Sequence, residues 1–353
     1  MSTAVICAHN PGRRNLGMYS VDLAAKDFFS SLGTKFELVK YAGHERIGEM
    51  RYRRIGDPQD LQCFDRIVFW GDFQQNPIWG RADFANRMAR ERGVSDAGGY
   101  DLWKELCLFK GVDDKLPARA VSAGTCFLGL GEALKGNPFR DEYVHLLSRF
   151  AAIIPRDIAS HAELVALGLT NVVQGFDCAC LLNQRRSPSD PGNYFCYSFG
   201  RTLGSGSDRV VRAVEKKNGI QGKPIDWILA KRSLQRRAAA YERAMRSIAG
   251  ARFVITDIYH LTINSLAARR DVYCTGKGDD LFLTTCDDYK KQVLMEMTGA
   301  AGCYLAIPPD TDDMAGYLVE HLPGMISTPT DAPRGFADRA DRFRKTLTAE
   351  LST

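Results

Sequence analysis

Short apolar runs alternate with amphipathic stretches along this chain, and the alternation sets the expected fold. Ala4 to Ala8 is an apolar run that ends in the polar loop HNPGRRNLG. From Tyr19 to Leu32 apolar residues recur at helical spacing (Val21, Leu23, Ala24, Phe28, Leu32), and Gly33 stops the helix. Phe36 to Val39 predicts the next strand. Asp65 to Trp70 predicts a buried strand ending in Gly71-Asp72, and Ala118 to Ala123 another ending in Gly124-Thr125. Ala151 to Pro155 predicts a strand followed by Arg156-Asp157 and a helix from Ala159 to Leu167. Asn171 to Gln174 and Ala179 to Leu182 predict two more strands. Strand, loop and helix repeating in this order signal a parallel sheet with helices on both faces.

The polar run Asn183 to Asn193, NQRRSPSDPGN, reads as a linker. After it the pattern restarts. Tyr194 to Phe199 predicts a strand, Ser207 to Lys217 a helix, Trp227 to Ala230 a strand, and Arg236 to Ile248 a basic amphipathic helix. Phe253 to Ile255 and Asp271 to Cys274 predict strands, Asp287 to Thr298 a helix, and Cys303 to Ile307 a last strand. The closing DRADRFRKTLTAELS predicts a charged helix, solvated on most of its face. The expected architecture is α/β: two Rossmann-like domains facing a cleft, over 1–183 and 194–330, with a C-terminal helix or tail over 331–353. Clefts between domains are common ligand sites.

Composition narrows the function classes. The 353 residues are long for one hydrophobic core, and 45% hydrophobic with 25% charged is an ordinary globular mixture. Forty-seven basic against 42 acidic residues give a net charge of +5. That balance argues against nucleic acid, which selects a clustered basic face, and suits an anionic small molecule. None of the ten cysteines forms a CxxC pair, so reduced core thiols in a cytoplasmic protein are expected, with no metal site. The sequence begins with no signal-like segment and contains no apolar run of membrane-spanning length.

The stretch ARFVITDIYHLTINSLAARRDVYCTGK, residues 251–277, carries the candidate chemistry. It reads as strand, turn, helix and strand, with Asp257 in the turn and His260 where the helix begins. In open α/β sheets ligands bind outside the carboxyl ends of strands, near helix N-termini. His260 suits proton transfer near neutral pH. Asp257 would orient it, hold a sugar hydroxyl, or serve as the helix N-cap. Other strand-end groups are candidate ligands for an anion. Arg156 and Ser160 follow the Ala151 strand. Arg13, Arg14, Asn15 and Gly17 follow the first strand. Gly71 would permit close approach to the first sheet. Arg201, Lys231 and Lys277 would form a basic rim on the second.

Four motifs resemble the polysaccharide pyruvyl transferase family: the Asn10–Gly17 loop, the glycine ending DRIVFWGD, the stretch IIPRDIASHAELVALGLTNVVQGFDCACLL, and the turn and helix FVITDIYHLTINSLA. The resemblance implies a GT-B-like enzyme that transfers a pyruvyl group from phosphoenolpyruvate to a sugar, with His260 as acid/base. It also implies no cofactor, and a sugar or lipid-linked glycan acceptor. Its expected location is the cytoplasm, with the inner face of the membrane, peripheral membrane contact and a homo-oligomer left open. One departure bears on the donor. Where the family's turn carries Arg before Leu-His, this chain has Ile258-Tyr259-His260. Ile cannot pair with phosphate or carboxylate. Arg201 is the candidate replacement, a nucleotide sugar is the alternative donor, and a non-catalytic glycan-binding protein is the alternative of another class.

Overall fold

The computed structural model describes all residues except 1, 8–14, 42–44, 183–190, 204, 229–235, 279–287, 327–329 and 353. The chain divides into two compact units. One comprises Met1–Gly12, Val21–Leu181 and Arg342–Thr353, the other Arg13–Ser20 and Leu182–Asp341.

The first unit is built on seven strands: β1 (Ser2–Cys7), β2 (Lys35–Lys40), β3 (Arg46–Ile47), β4 (Met50–Arg54), β5 (Arg66–Trp70), β6 (Ala120–Thr125) and β7 (Ala152–Pro155). Their order is β3-β4-β2-β1-β5-β6-β7, and every pairing is parallel except β3 with β4. Central strands such as Ala4–Ile6 and Ile67–Trp70 are buried on both faces, which is why they read as continuous apolar runs. The helix α1 (Leu16–Ser31) buries Val21, Ala24, Phe28 and Phe29, and Gly33, at φ 67°, follows its end in the left-handed region. α2 (Asp96–Leu108), α3 (Arg140–Ser148) and α4 (Ile158–Ala166) pack apolar side chains into the same core.

The second unit holds five parallel strands: β8 (Tyr194–Ser198), β9 (Gln221–Pro224), β10 (Phe253–Thr256), β11 (Asp271–Lys277) and β12 (Tyr304–Ile307). Their order is β12-β11-β10-β8-β9. Its helices are α5 (Ser207–Asn218), α6 (Arg237–Ala249), α7 (Tyr259–Ala267), α8 (Tyr289–Met297) and α9 (Met314–Met325). The last helix, α10 (Ala332–Ser352), buries Phe336, Phe343 and Leu347, so its charged face is matched by an apolar one.

Three expected strands take other forms. Asn171–Gln174 contributes only an isolated bridge from Val172 to Ile153. Residues 178–181 form a 3₁₀ turn, whose Cys178 thiol donates to the carbonyl of Ala123. The edge strand beside β8 is Gln221–Pro224 rather than the Trp227 run, of which the Trp227 carbonyl accepts the Leu16 N–H, Ile228 makes one bridge to Asn15, and residues 229 and 230 lie outside the described residues. All nine described cysteines are free, and only Cys63 is exposed. No described helix is long and apolar enough to cross a membrane.

Candidate functional site

The chain of the second unit runs outward from β8 to β9, then returns to place β10 on the other side of β8. Strand order therefore reverses between β8 and β10. Loops leaving such a reversal diverge and open a crevice at the carboxyl edge. A small cavity of about 40 Å³ lies there, lined by Asn15, Arg201, Asp257, Ile258, Tyr259, His260 and Lys290. Arg201 follows β8, residues 257–260 follow β10, and Lys290 opens α8.

Asp257 organises this edge. Its carboxylate is 1% exposed, and Oδ2 accepts the backbone N–H groups of Gly200, Arg201, Thr202 and Leu203 at 2.7–3.1 Å. The expected N-cap role is thereby corrected. The N-cap of α7 is Ile258, and no side chain caps it. Asp257 points at the loop after β8 instead, and Thr256 Oγ1 takes the Ile258 N–H at 3.0 Å. With Asp257 Oδ2 committed to the loop and no side-chain cap on the helix, the positive end of α7 lines the cavity through Ile258, Tyr259 and His260.

Behind the cavity lies a buried polar network that the sequence reading missed. Lys291, 1% exposed, donates to the carbonyls of Asp257 and Thr275 at 2.8 and 2.9 Å and to Thr202 Oγ1 at 3.3 Å, and it pairs with Asp288. Asp288 also accepts from the Thr202 hydroxyl and the Lys277 N–H. One ammonium thus ties together the ends of β8, β10 and β11. A buried charge persists only when paired and hydrogen-bonded, and this one is. Burial pushes the neighbouring Cys274 thiol up to about 11, which keeps it protonated and inert at neutral pH.

His260 is held from two sides. Gly17 packs directly on its ring: a Cβ added there would lie 2.8 Å from Cγ and Nδ1, and closer still to Cβ. The glycine's freedom is used for contact with the imidazole. Asn264 donates to the His260 carbonyl at 2.7 Å and to the Ser20 hydroxyl at 2.9 Å, while accepting from Tyr241. Asn15 Oδ1 accepts the Gly17 N–H, fixing the segment that enters α1.

The structure therefore gathers His260, Asp257, Asn15 and Arg201, with Gly17 against the ring, and adds Lys290 and Tyr259. A lysine just inside a helix at the carboxyl end of a strand was the available signal for Lys290. Lys277 ends β11 with its side chain exposed and does not line the cavity. Arg13, Arg14 and Lys231 lie outside the described residues.

Gly71, Arg156 and Ser160 belong to the first unit, where each has a structural task. Gly71, at φ 69°, donates to the Ala123 carbonyl, and a Cβ would meet Val21 at 2.9 Å. Arg156 is 2% exposed. Its guanidinium bonds Asp157 at 3.2 Å and Cys126 Sγ at 2.8 Å and sits over the Phe73 ring, so it is no open anion clamp. Asp157 caps α4 through the Ser160 N–H, and the Ser160 hydroxyl accepts from Phe127 N–H. Among the described residues no group of three or more His, Cys, Asp or Glu side chains could hold a metal ion.

No protein-family model matches this sequence, and no curated protein matches it. Solved structures do share its fold. A candidate UDP-N-acetylglucosamine 2-epimerase from Listeria monocytogenes is 11% identical, with 99% of this chain and 96% of that one covered and a TM-score of 0.51. The UDP-GlcNAc 2-epimerase of Methanocaldococcus jannaschii is 10% identical, with 99% and 100% covered and a TM-score of 0.50. These likenesses show the fold: α/β, with two Rossmann-like units of GT-B type.

Proposed function

We propose that this chain is a carbohydrate-modifying enzyme whose second unit holds a phosphorylated donor, with His260 transferring a proton. One observation carries the reading. A cavity at the strand-order reversal of the second sheet brings His260, Arg201, Lys290 and the uncapped end of α7 together. Two cations and a helix N-terminus suit phosphate oxygens. A group with the titration range of imidazole suits the proton that an acceptor hydroxyl must lose.

A nucleotide sugar is the donor we favour. Supporting it, the neighbours named above carry UDP-N-acetylglucosamine in their names and share the fold. In such a transfer the acceptor oxygen bonds the sugar carbon while the phosphate leaves with the electron pair. Arg201 and Lys290 would offset that growing negative charge, and His260 would take the hydroxyl proton. Pyruvyl transfer from phosphoenolpyruvate is the second reading. The observation favouring it is that Arg201 lines the same cavity as Ile258, supplying the guanidinium that the pyruvyl-transferase pattern carries in that turn. There His260 would protonate the donor methylene as one sugar oxygen adds to the neighbouring carbon and gives up its proton. A second hydroxyl of the same sugar would then displace the phosphate, which leaves with the electron pair and takes up that hydroxyl's proton, closing a cyclic ketal.

Ligand-dependent melting separates these readings. A ligand at 100 times its Kd adds about 2.7 kcal/mol of apparent stability. UDP-N-acetylglucosamine should raise the melting temperature and His260→Ala should keep that shift while losing turnover. A shift with phosphoenolpyruvate alone would transfer the assignment to pyruvyl transfer. No shift with either ligand in excess would sink the donor site.

A further inference from the structure

Most of the chain's excess positive charge is concentrated in one short segment. Residues 236–252 hold Arg236, Arg237, Arg243, Arg246 and Arg252 against a single acid, Glu242, so these 17 residues carry +4 of the chain's +5. The segment is α6 with its flanks, and the helix has two faces. Arg237, Ala240, Tyr241, Ala244, Met245 and Ile248 are buried. Arg236, Ala239, Glu242, Arg243 and Arg246 are exposed. At 3.6 residues per turn, Arg236, Arg243 and Arg246 fall within about 80° of one another around the helix axis, with Glu242 at the margin. Strand β9 sets a further exposed cation beside this stripe. Lys223 pairs in register with Cys196, whose thiol donates to the Ser247 carbonyl of α6 at 3.4 Å. The Lys223 ammonium lies 3.5 Å from the centre of the Tyr194 ring, and the Tyr194 hydroxyl donates to the same carbonyl at 2.9 Å. Lys223 therefore stands on the α6 side of the sheet. A groove of about 240 Å³ lies between α6 and the end of β9, with Arg243 and Asp226 on its walls.

Cations clustered on an exposed face select an anionic partner. No large apolar side chain is exposed between residues 236 and 252, so the face lacks the aromatic or aliphatic anchor around which a protein interface is built. Tyr241 is buried, which leaves α6 no ring on which to stack an unpaired nucleic-acid base. An anionic membrane needs neither, because charge alone draws a basic surface to its headgroups. We propose that the α6 face docks the second unit on an anionic lipid surface through Lys223, Arg236, Arg243 and Arg246. This face shares no residue with the His260 cavity, and its assignment does not rest on the donor reading.

Flotation of the full chain with vesicles tests this, using phosphatidylcholine alone and equal parts of phosphatidylcholine and phosphatidylglycerol. The anionic vesicles should bind at least about tenfold more tightly, since each basic residue near such a surface contributes about fivefold. That preference should vanish near ~1 M salt, where the screening length shrinks to about 3 Å. Arg243→Gln combined with Arg246→Gln should weaken binding at least about tenfold. Both side chains are exposed, so the melting temperature should not change. Lys216→Gln combined with Lys217→Gln removes the same charge from exposed positions on α5. That helix packs through Val211 beside Phe195, one residue before Cys196 and so on the opposite face of the sheet. This second pair should leave vesicle binding within about twofold of the wild type. Equal binding to both kinds of vesicle, or to neither, would overturn the assignment, and so would equal losses in the two double variants. Tighter binding to a duplex oligonucleotide than to the anionic vesicles would make this a nucleic-acid face and overturn the lipid assignment.

Discussion

The carboxyl edges of the two sheets use the same residue types in opposite ways. In the first unit Asp157 caps the helix that directly follows it, and Arg156 folds inward onto that carboxylate, Cys126 and Phe73. In the second, Asp257 ignores the helix that follows and reaches residues 200–203, more than fifty positions earlier in the chain. The first arrangement spends the helix end and the arginine on structure. The second leaves the α7 terminus without a side-chain cap and keeps Arg201 exposed at a cavity. An Arg and an Asp at a strand end therefore do not mark a ligand site by themselves. The N–H groups that the carboxylate selects decide whether the edge is closed or open.

Four substitutions test this contrast, beginning with the largest effect. Lys291→Met would leave Asp288 buried without its cation and free the carbonyls of Asp257 and Thr275. Breaking a buried pair costs about 3–5 kcal/mol, and urea denaturation should show a loss of that size. Lys290→Met, on the cavity rim, should change stability by less than about 0.5 kcal/mol. Gly17→Ala would force its methyl into the His260 ring. Overpacking of this kind costs about 1–3 kcal/mol, and pyrophosphate affinity should fall with it; unchanged affinity would show that the ring's position does not matter. Asp157→Ala removes a helix cap in the other unit and should cost about 1 kcal/mol with no change in pyrophosphate binding.

The smallest effect concerns pH. Asp22 is buried in the first unit beside Lys40 at 3.6 Å, and it accepts the Tyr52 hydroxyl at 2.7 Å. Burial raises its pKa above the ordinary carboxylate value, with Lys40 and Tyr52 pulling it back. A raised folded-state pKa means the folded chain keeps its proton to higher pH than the unfolded chain. Stability is then greatest below the unfolded value of about 3.9 and declines as pH rises through the folded value. Asp22→Asn should flatten that decline, so in urea melts the variant should gain on the wild type as pH rises above the unfolded value. Parallel curves would remove Asp22 as the source.

Much of the fold was legible in the sequence because buried parallel strands leave continuous apolar runs. Asp65 to Trp70, Ala151 to Pro155 and Phe253 to Ile255 were the expected bounds, and all three strands appear within a residue of them. Gln221–Pro224 was not legible. As an edge strand of QGKP it is largely exposed and carries no apolar signature. The 3₁₀ turn over 178–181 misled for the converse reason, since its apolar residues are buried without a sheet partner. In the site, the strand-end position of His260 could be read from its turn. Lys291 could not, because lysine pairs near a helix start usually stand in solvent, and only the strand order brings Thr202, Asp257 and Thr275 around its ammonium.

The four amides around Asp257 Oδ2 form a receptor already filled by the protein's own side chain. Asp257→Ala would empty it without dismantling the loop's sequence, leaving a hollow with the shape and polarity of a one-carbon acid. Formate added in solution should then act as a detachable substitute and raise the variant's melting temperature more than the wild type's. Equal shifts for both proteins would show that the loop collapses once its internal anion is gone.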